Sequence, residues 1–365
     1  MPETQEAGIL KNIKIEGFKS IKKMDLSLNP LNIIIGQNGA GKSNFIGIFK
    51  FLCNIINKDL QSYVSKNGGA ERFLYFGNKT TKSISISAVF DSKDAYDIVL
   101  IPAIPNKLIF EKEVISWKEH SEDLCNANGE ESKLDSNPIN PNEYNARYYL
   151  STIKVYHFHD VSNESPIKKS CKISDNAFFR PQADNLPAML YRFKQYYQAE
   201  YNEIIATITM VAPFFQDFIL EPDDNDNIVL KWKHKGSDAY FDVFYFSDGT
   251  LRFIALATLL LQPDKFIPHT VIIDEPELGL HPYALKILAE LMQRVSKRGK
   301  QVIATSQSVD LINEFNAEDI IVSDRVGDES VFHRLKEEEI SQWLEEFSIG
   351  DIWSRNIIGG APNDF

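Results

Sequence analysis

The stretch IIIGQNGAGKSNF contains Gly36, Gly41, Lys42 and Ser43 in the spacing G-x-x-x-x-G-K-S. That spacing suits a polyphosphate. Glycines let backbone N–H groups close around phosphate oxygens with no Cβ in the way. The start of a following helix adds about half a positive charge. Lys42 supplies a full charge for β- and γ-phosphates, and Ser43 offers a hydroxyl to Mg²⁺. The motif lies between LNIII, which reads as a buried strand, and a helical pattern from about Asn44 to Asn57. This context separates a phosphate loop from a chance glycine-rich turn. The candidate cofactors are ATP and Mg²⁺, held by Gly36, Asn38, Gly39, Ala40, Gly41, Lys42, Ser43 and Asn44.

A second constellation is HTVIIDEPELGLHP, an apolar strand that ends on Asp274 and Glu275. A strand buried on both faces has no reason to finish on two acids unless something positive waits there. Asp274 suits Mg²⁺, opposite Ser43. Glu275, one residue on, is the candidate to polarise an attacking water. The bland alternative is a solvated strand end. Shortly before it, YFSDGTLRFIALATLLL opens a long apolar helix with Ser247, Asp248, Gly249 and Thr250. Ser247 or Asp248 caps such a helix well, and an open helix start is also an anion site.

Elements must position these groups. LKNIKIEGFKSI alternates like a strand with a turn at Gly17, and SISISAVFD and AYDIVLIP read as further strands. Residues 119–143 are rich in Glu, Asp, Asn and Ser and read as a solvent loop. STIKVYHFHD resumes as a strand, Leu186 to Ile208 has helical period, and short strands around turns fill the stretch up to Phe246. From Leu251 the pattern is helix, strand TVIID, helix, strand QVIAT, helix, strand DIIVSD, which argues for a parallel sheet with crossover helices. The expected division is an N-terminal lobe with the phosphate loop over 1–118, an inserted helical and β region over 119–240, and a C-terminal lobe over 241–365.

The chain has 365 residues, 43% apolar and 25% charged, enough for a sizeable core. A net charge of −12 excludes a generic polyanion binder, so DNA contact would need a local patch and has no support from the total charge. No apolar run is long enough to span a membrane. The polar, acidic start MPETQEAG is unlike a targeting signal, and the scattered Cys53, Cys125 and Cys171 supply no zinc motif; a reduced, cytoplasmic protein is expected. His157 and His159 lie two apart on a strand and face one side. They lack a third ligand nearby in sequence, so a structural or nucleotide-proximal role is the plainer reading. Lys231, Lys233 and Lys235 share a strand face, read as a lysine-guarded edge strand rather than a nucleic-acid track. Trp343, Phe347, Ile352 and Trp353 form an apolar tail that either docks on the core or holds a partner.

Read together, these residues resemble the ABC-type ATPase clade that includes SMC proteins, RecF and OLD-like ATPases. IKIEGFKSI resembles the clade's first strands, which implies that Lys19 and Ser20 approach the nucleotide. SDGTLRF resembles the ABC signature at Ser247, Gly249 and Arg252. The resemblance implies that Ser247 and Gly249 bind the γ-phosphate held by a second subunit, with Arg252 a further nucleotide-binding candidate. DEPELGLHP covers the Walker B motif and the following D-loop. Where the clade has a switch histidine, this chain has Gln307, which hydrogen-bonds without carrying charge. By position, His159 or Asp160 stands near the Q-loop glutamine, making His159 a candidate metal ligand beside Ser43 and Asp274. SDGTLRFIALATLLLQP, DEPELGLHPYA, YHFHDVS and the tail WLEEFSIGDIWSRNIIGGAP are similar to standalone prokaryotic AAA/ABC-type ATPases, relatives of which occur in anti-phage defence beside a nuclease or other effector.

The implied fold is α/β: an ABC/SMC-head-like P-loop ATPase with an N-terminal β-rich lobe, a C-terminal parallel-sheet lobe and no coiled coil. The implied function is an ATPase that dimerises around nucleotide, as a homodimer or higher homo-oligomer, and switches a protein effector, with a nuclease-like one possible. Two alternatives stay open: the ATPase subunit of a membrane transporter, and a module that binds nucleotide only structurally.

Overall fold

The computed structural model describes residues 8–90, 93–118, 120–125, 129–134 and 141–361. The chain forms two interleaved compact units. The first comprises residues 1–155, 269–272 and 299–365, and the second 156–268 and 273–298. This differs from a division into three successive segments, because a parallel sheet gathers strands that are far apart in sequence.

Unit 1 begins with β1 (Leu10–Phe18), β2 (Ile21–Ser27) and β3 (Leu31–Ile35), then α1 (Lys42–Ile56), α2 (Leu60–Lys66) and the single turn α3 (Gly77–Thr80). Strands β4 (Ile84–Phe90), β5 (Ala95–Ala103), β6 (Lys107–Trp117) and β7 (His120–Asp123) follow, then α4 (Pro141–Ser151) and β8 (Ile153–Tyr156). Asp91, the expected end of β4, lies outside the described residues. One sheet has the order β2-β1-β4-β5-β6-β7 and is antiparallel where its pairing is defined. β1 runs through Gly17 and turns at Lys19–Ser20 instead. A Cβ on Gly17 would lie 2.4 Å from the Ser83 carbonyl oxygen, so that glycine permits the close approach of β4 rather than a turn.

The segment expected to be a solvent loop is partly built into unit 1. Glu131 caps α2 by accepting from the Leu60 and Gln61 N–H groups. Ser132 donates to the buried Glu113, and Leu134 is fully buried. Its polar composition hid this, because the carboxylate and hydroxyl are used inward. Residues 119, 126–128 and 135–140 lie outside the described residues.

Unit 2 carries β9 (Cys171–Lys172), α5 (Leu186–Tyr196), α6 (Gln198–Val211), β10 (Phe215–Ile219), β11 (Asn227–Ile228), β12 (Lys231–His234), β13 (Tyr240–Asp242) and α7 (Asp248–Leu261). After β14 (Thr270–Ile273), which returns to the sheet of unit 1, the unit is completed by α8 (Pro282–Lys297). β12 is the central strand of β10-β12-β13, not a lysine-guarded edge. Trp232 on its buried face stacks on Phe241 at 5.0 Å and on Phe246 at 4.6 Å, and the lysines flank this aromatic core.

The chain then closes unit 1 with β15 (Gln301–Ser306), α9 (Val309–Ile312), β16 (Ile320–Val326), β17 (Glu329–Arg334), α10 (Glu337–Leu344) and α11 (Ile349–Ser354). The second sheet runs β17-β16-β3-β15-β14-β8. β3 pairs in parallel with both β15 and β16, so the parallel sheet takes its centre from the N-terminal part of the chain. All of β3 is buried, with Ile33, Ile34 and Ile35 at 0% exposure. Each such side chain contributes roughly 1.5–3 kcal/mol on burial. The C-terminal tail docks on this unit: Ile352 is fully buried and Gly350 donates its N–H to Asn313, while Trp343 stays partly exposed.

Candidate nucleotide site

The phosphate loop occupies the turn between β3 and α1, within unit 1. α1 starts at Lys42 after Gly41, which has φ +118° and provides no side-chain cap. A glycine at this position offers the first N–H groups of the helix no capping side chain, which suits an anion site. Steric crowding explains the glycines at the loop's ends. A Cβ on Gly36 would lie 2.3 Å from the Ser323 carbonyl oxygen, and one on Gly41 2.3 Å from the Ser330 hydroxyl. Gly39, by contrast, has φ +83° and open space around it.

Lys42 is 5% exposed and curls over its own loop, donating to the carbonyls of Gly36 at 2.6 Å and Gln37 at 3.1 Å. A buried ammonium needs acceptors, and here the loop supplies them. Asn38, Gly39 and Ser43 are exposed, while Ala40 is buried and accepts from Ser323 Oγ at 3.1 Å. The Gln37 N–H donates to Gly360 in the C-terminal tail at 2.6 Å. Asn44 donates to Ser20 Oγ at 2.7 Å, and Ser20 Oγ lies 2.7 Å from Ser330 Oγ. Ser20 is thus joined to the first turn of α1. Its neighbour Lys19 has φ +49°, and its ammonium sits 5.4 Å from the Phe73 ring centroid and 5.6 Å from that of Phe18. Burial pushes the Lys19 pKa down. Gln307 directly follows β15, whose Ser306 is in register with Ile35, the residue before Gly36. The sheet therefore brings Gln307 level with the start of the loop.

Unit 2 holds the signature and the carboxylates. Ser247 is the exposed N-cap of α7: its Oγ accepts from the Thr250 N–H at 3.1 Å and meets Thr250 Oγ1 at 2.8 Å. Asp248 faces Lys168 at 3.9 Å. A Cβ on Gly249 would fall 2.1 Å from the Gly279 carbonyl oxygen, so the D-loop lies directly against the first turn of α7. Arg252 fixes this arrangement. Its guanidinium donates to the carbonyls of Phe158 at 3.1 Å, His159 at 2.8 Å and Leu278 at 3.0 Å. The rigid fork suits several fixed acceptors at once.

Asp274 follows β14, and its N–H donates to the Tyr156 carbonyl at 3.3 Å. Glu275 has φ +41°, a left-handed conformation that costs a non-glycine residue about 1–3 kcal/mol and concentrates at functional sites. His159 Nε2 lies 2.8 Å from the Asp274 carbonyl oxygen, and His157 Nδ1 3.7 Å from Asp274 Oδ2. The third partner that the two histidines lack in sequence is thus Asp274, more than a hundred residues downstream. No spacing rule links them, nor Ser323, Ser330 and Gly360 to the loop they brace. The tail pattern IIGGAP was the one visible signal for Gly360.

Of the candidate metal ligands, Ser43 offers an oxygen in unit 1, and in unit 2 Asp274 offers oxygens and His159 a nitrogen; Mg²⁺ prefers oxygen ligands.

Fold and loop together define an SMC/OLD-like P-loop ATPase. The head domain of an SMC protein, solved bound to the C-terminal winged-helix domain of ScpA, superposes with a TM-score of 0.62 at 15% identity, covering 91% of this chain and 99% of that one. The family model described as "AAA domain, putative AbiEii toxin, Type IV TA system" matches residues 31–313, and the chain belongs to that family. An ATP/GTP phosphatase of Helicobacter pylori is 23% identical over 304 residues, 77% of this chain and 79% of that protein. The OLD nuclease of Thermus scotoductus is 22% identical over 379 residues, 96% of this chain and 68% of that protein. No helix among the described residues is long and apolar enough to cross a membrane.

Proposed function

We propose that the chain binds and hydrolyses Mg-ATP, and that two copies close around the nucleotide as a switch for a partner protein. The observation that carries the sandwich reading is the signature itself: Ser247 stands exposed at the start of the fourteen-residue helix α7, while Gly249 and Arg252 are committed to bracing it. In this reading the loop amides and Lys42 hold the β- and γ-phosphates. Ser43 and Asp274 hold Mg²⁺, which neutralises phosphate charge when bound. Glu275 accepts the proton of the attacking water, and Gln307 orients that water or the γ-phosphate by hydrogen bonding. Ser247 and the N–H groups at the start of α7 meet the phosphate of the other copy. Arg252 acts as a positioning residue through the three carbonyls it binds. Similarity to an OLD nuclease supports a nuclease-like effector as the partner and a role in anti-phage defence or a DNA-related process.

The test uses the Glu275→Gln protein, in which nucleotide persists. With ATP and Mg²⁺ its mass in solution is expected to double, and Ser247→Arg in the same background is expected to return it to the nucleotide-free value. A mass, and a pattern of chemical crosslinks, indifferent to both ATP and Ser247→Arg would overturn the sandwich. Absence of phosphate release by the wild-type chain with its effector present would overturn the hydrolysis.

A further inference from the structure

We propose that His157, His159 and Asp274 form a binding site for a divalent transition-metal ion of the Zn²⁺, Co²⁺ and Mn²⁺ class. The proposal goes beyond the nucleotide reading: it shares Asp274 with the proposed Mg²⁺ site and takes in His159, a candidate ligand there by position, but draws on His157 in place of Ser43. All three residues belong to unit 2. One ligand atom from each lies within 4.8 Å of the other two, and none of the side chains is fully buried. Metal–ligand bonds of about 2.0–2.2 Å place two ligands on one ion roughly 3–4 Å apart. The 3.7 Å between His157 Nδ1 and Asp274 Oδ2 already meets that spacing. The remaining atoms need an inward movement on the order of an ångström.

The backbone under the site is held in place before any ion arrives. Arg252 grips the carbonyls of Phe158 and His159, the His157 N–H donates to Pro181 at 2.9 Å, and the Asp274 N–H donates to Tyr156. Such outer contacts are what orient metal ligands. The carbonyl of Asp274 only accepts, so His159 Nε2 carries the proton of their 2.8 Å hydrogen bond. Ligation through Nδ1 leaves that bond as the orienting contact, and ligation through Nε2 exchanges its proton for the ion. Two imidazoles and one carboxylate select against Mg²⁺ and Ca²⁺, which take oxygen ligands, and for borderline transition ions. Side-chain exposures of 26% for His157 and 12% for Asp274 leave a route for entry and room for water or an anionic oxygen to complete the coordination.

The experiment is titration of the metal-free full chain with Co²⁺, read by visible absorption, followed by displacement with Zn²⁺. One Co²⁺ per chain is expected, retained in a large excess of Mg²⁺. His157→Asn and His159→Asn are each expected to weaken it by at least about tenfold. Lys42→Ala should leave the absorption unchanged while removing nucleotide, which separates this site from the phosphate loop. A wild-type measurement covers the case of variants that do not fold: substoichiometric Mn²⁺ should broaden the ring-proton resonances of His157 and His159 before those of other histidines. No Co²⁺ uptake at any concentration reached in the titration overturns the proposal. So do uptake unaltered in both folded histidine variants and broadening that spares both rings.

Discussion

The phosphate loop in unit 1 and the signature helix in unit 2 are both helix starts that follow small residues, yet they are built in opposite ways. The loop turns its charge inward: Lys42 is nearly buried and lies on the carbonyls of Gly36 and Gln37, with serines of β16 and β17 packed behind, while Asn38, Gly39 and Ser43 stay exposed. The signature is open at its tip and locked at its base. Ser247 is exposed, whereas Gly249 touches the D-loop and Arg252 holds three carbonyls. A site that turns inward carries its own ligand-binding groups. A site braced from behind and bare in front is shaped for something from outside. Substitutions in the first region should therefore change ligand binding with little effect on stability, and those at the base of the second should do the reverse.

The largest effect is expected at Lys42. Lys42→Ala removes the one full charge of the loop, and hydrogen bonds from a charged donor contribute about 1.5–3 kcal/mol each, so ATP affinity should fall roughly 100-fold or more. Calorimetric titration with ATP measures it. The melting temperature should stay near that of the wild type, because the substitution removes the cost of burying an ammonium together with its hydrogen bonds to Gly36 and Gln37. A large drop in stability with affinity intact would break the contrast at its stronger end.

Next comes Arg252. Arg252→Gln leaves the carbonyls of Phe158, His159 and Leu278 without their common donor. The expected loss is about 2–3 kcal/mol in denaturant unfolding. Amide exchange should rise first in residues 157–160 and 278–281 and not in the phosphate loop. Gly249→Ala tests the same base by crowding: its Cβ would sit 2.1 Å from the Gly279 oxygen. Forcing the D-loop away should destabilise by roughly 1–3 kcal/mol.

These two regions also differ in how far sequence reveals them. The phosphate loop is local: strand, glycines, lysine and helix occur within twenty-odd residues, so periodicity and spacing identify it. The parallel sheet was legible from the alternation after Leu251, but its central strand, β3, comes from the other end of the chain, and no local pattern announces that. The role of Arg252 was hidden for a related reason. Its partners are backbone carbonyls, which have no sequence signature. The inward Glu131, Ser132 and Leu134 show a third limit, since a polar stretch reads as solvent loop even when its polar groups satisfy a buried network. What propensity does capture is the capping chemistry of Ser247, which follows from a short-range contact.

The smallest change gives the sharpest test of that bare tip. Ser247 accepts from the Thr250 N–H, and replacing such a cap with alanine costs about 1 kcal/mol. Aspartate caps as well as serine does, so Ser247→Asp should change stability by less than about 0.5 kcal/mol. It also complements the positive end of the α7 dipole. A role confined to capping predicts that Ser247→Asp behaves as the wild type in every assay. A role in meeting phosphate from a second copy predicts otherwise, because the new carboxylate would repel that phosphate at hydrogen-bond range. ATP binding to the isolated chain should then persist while ATP-dependent association and turnover are lost. Ser247→Ala would show the converse ordering, with measurable loss of stability and only partial loss of association. Equal behaviour of the aspartate variant and the wild type in ATP-dependent association would reduce the exposed signature to a helix start and nothing more.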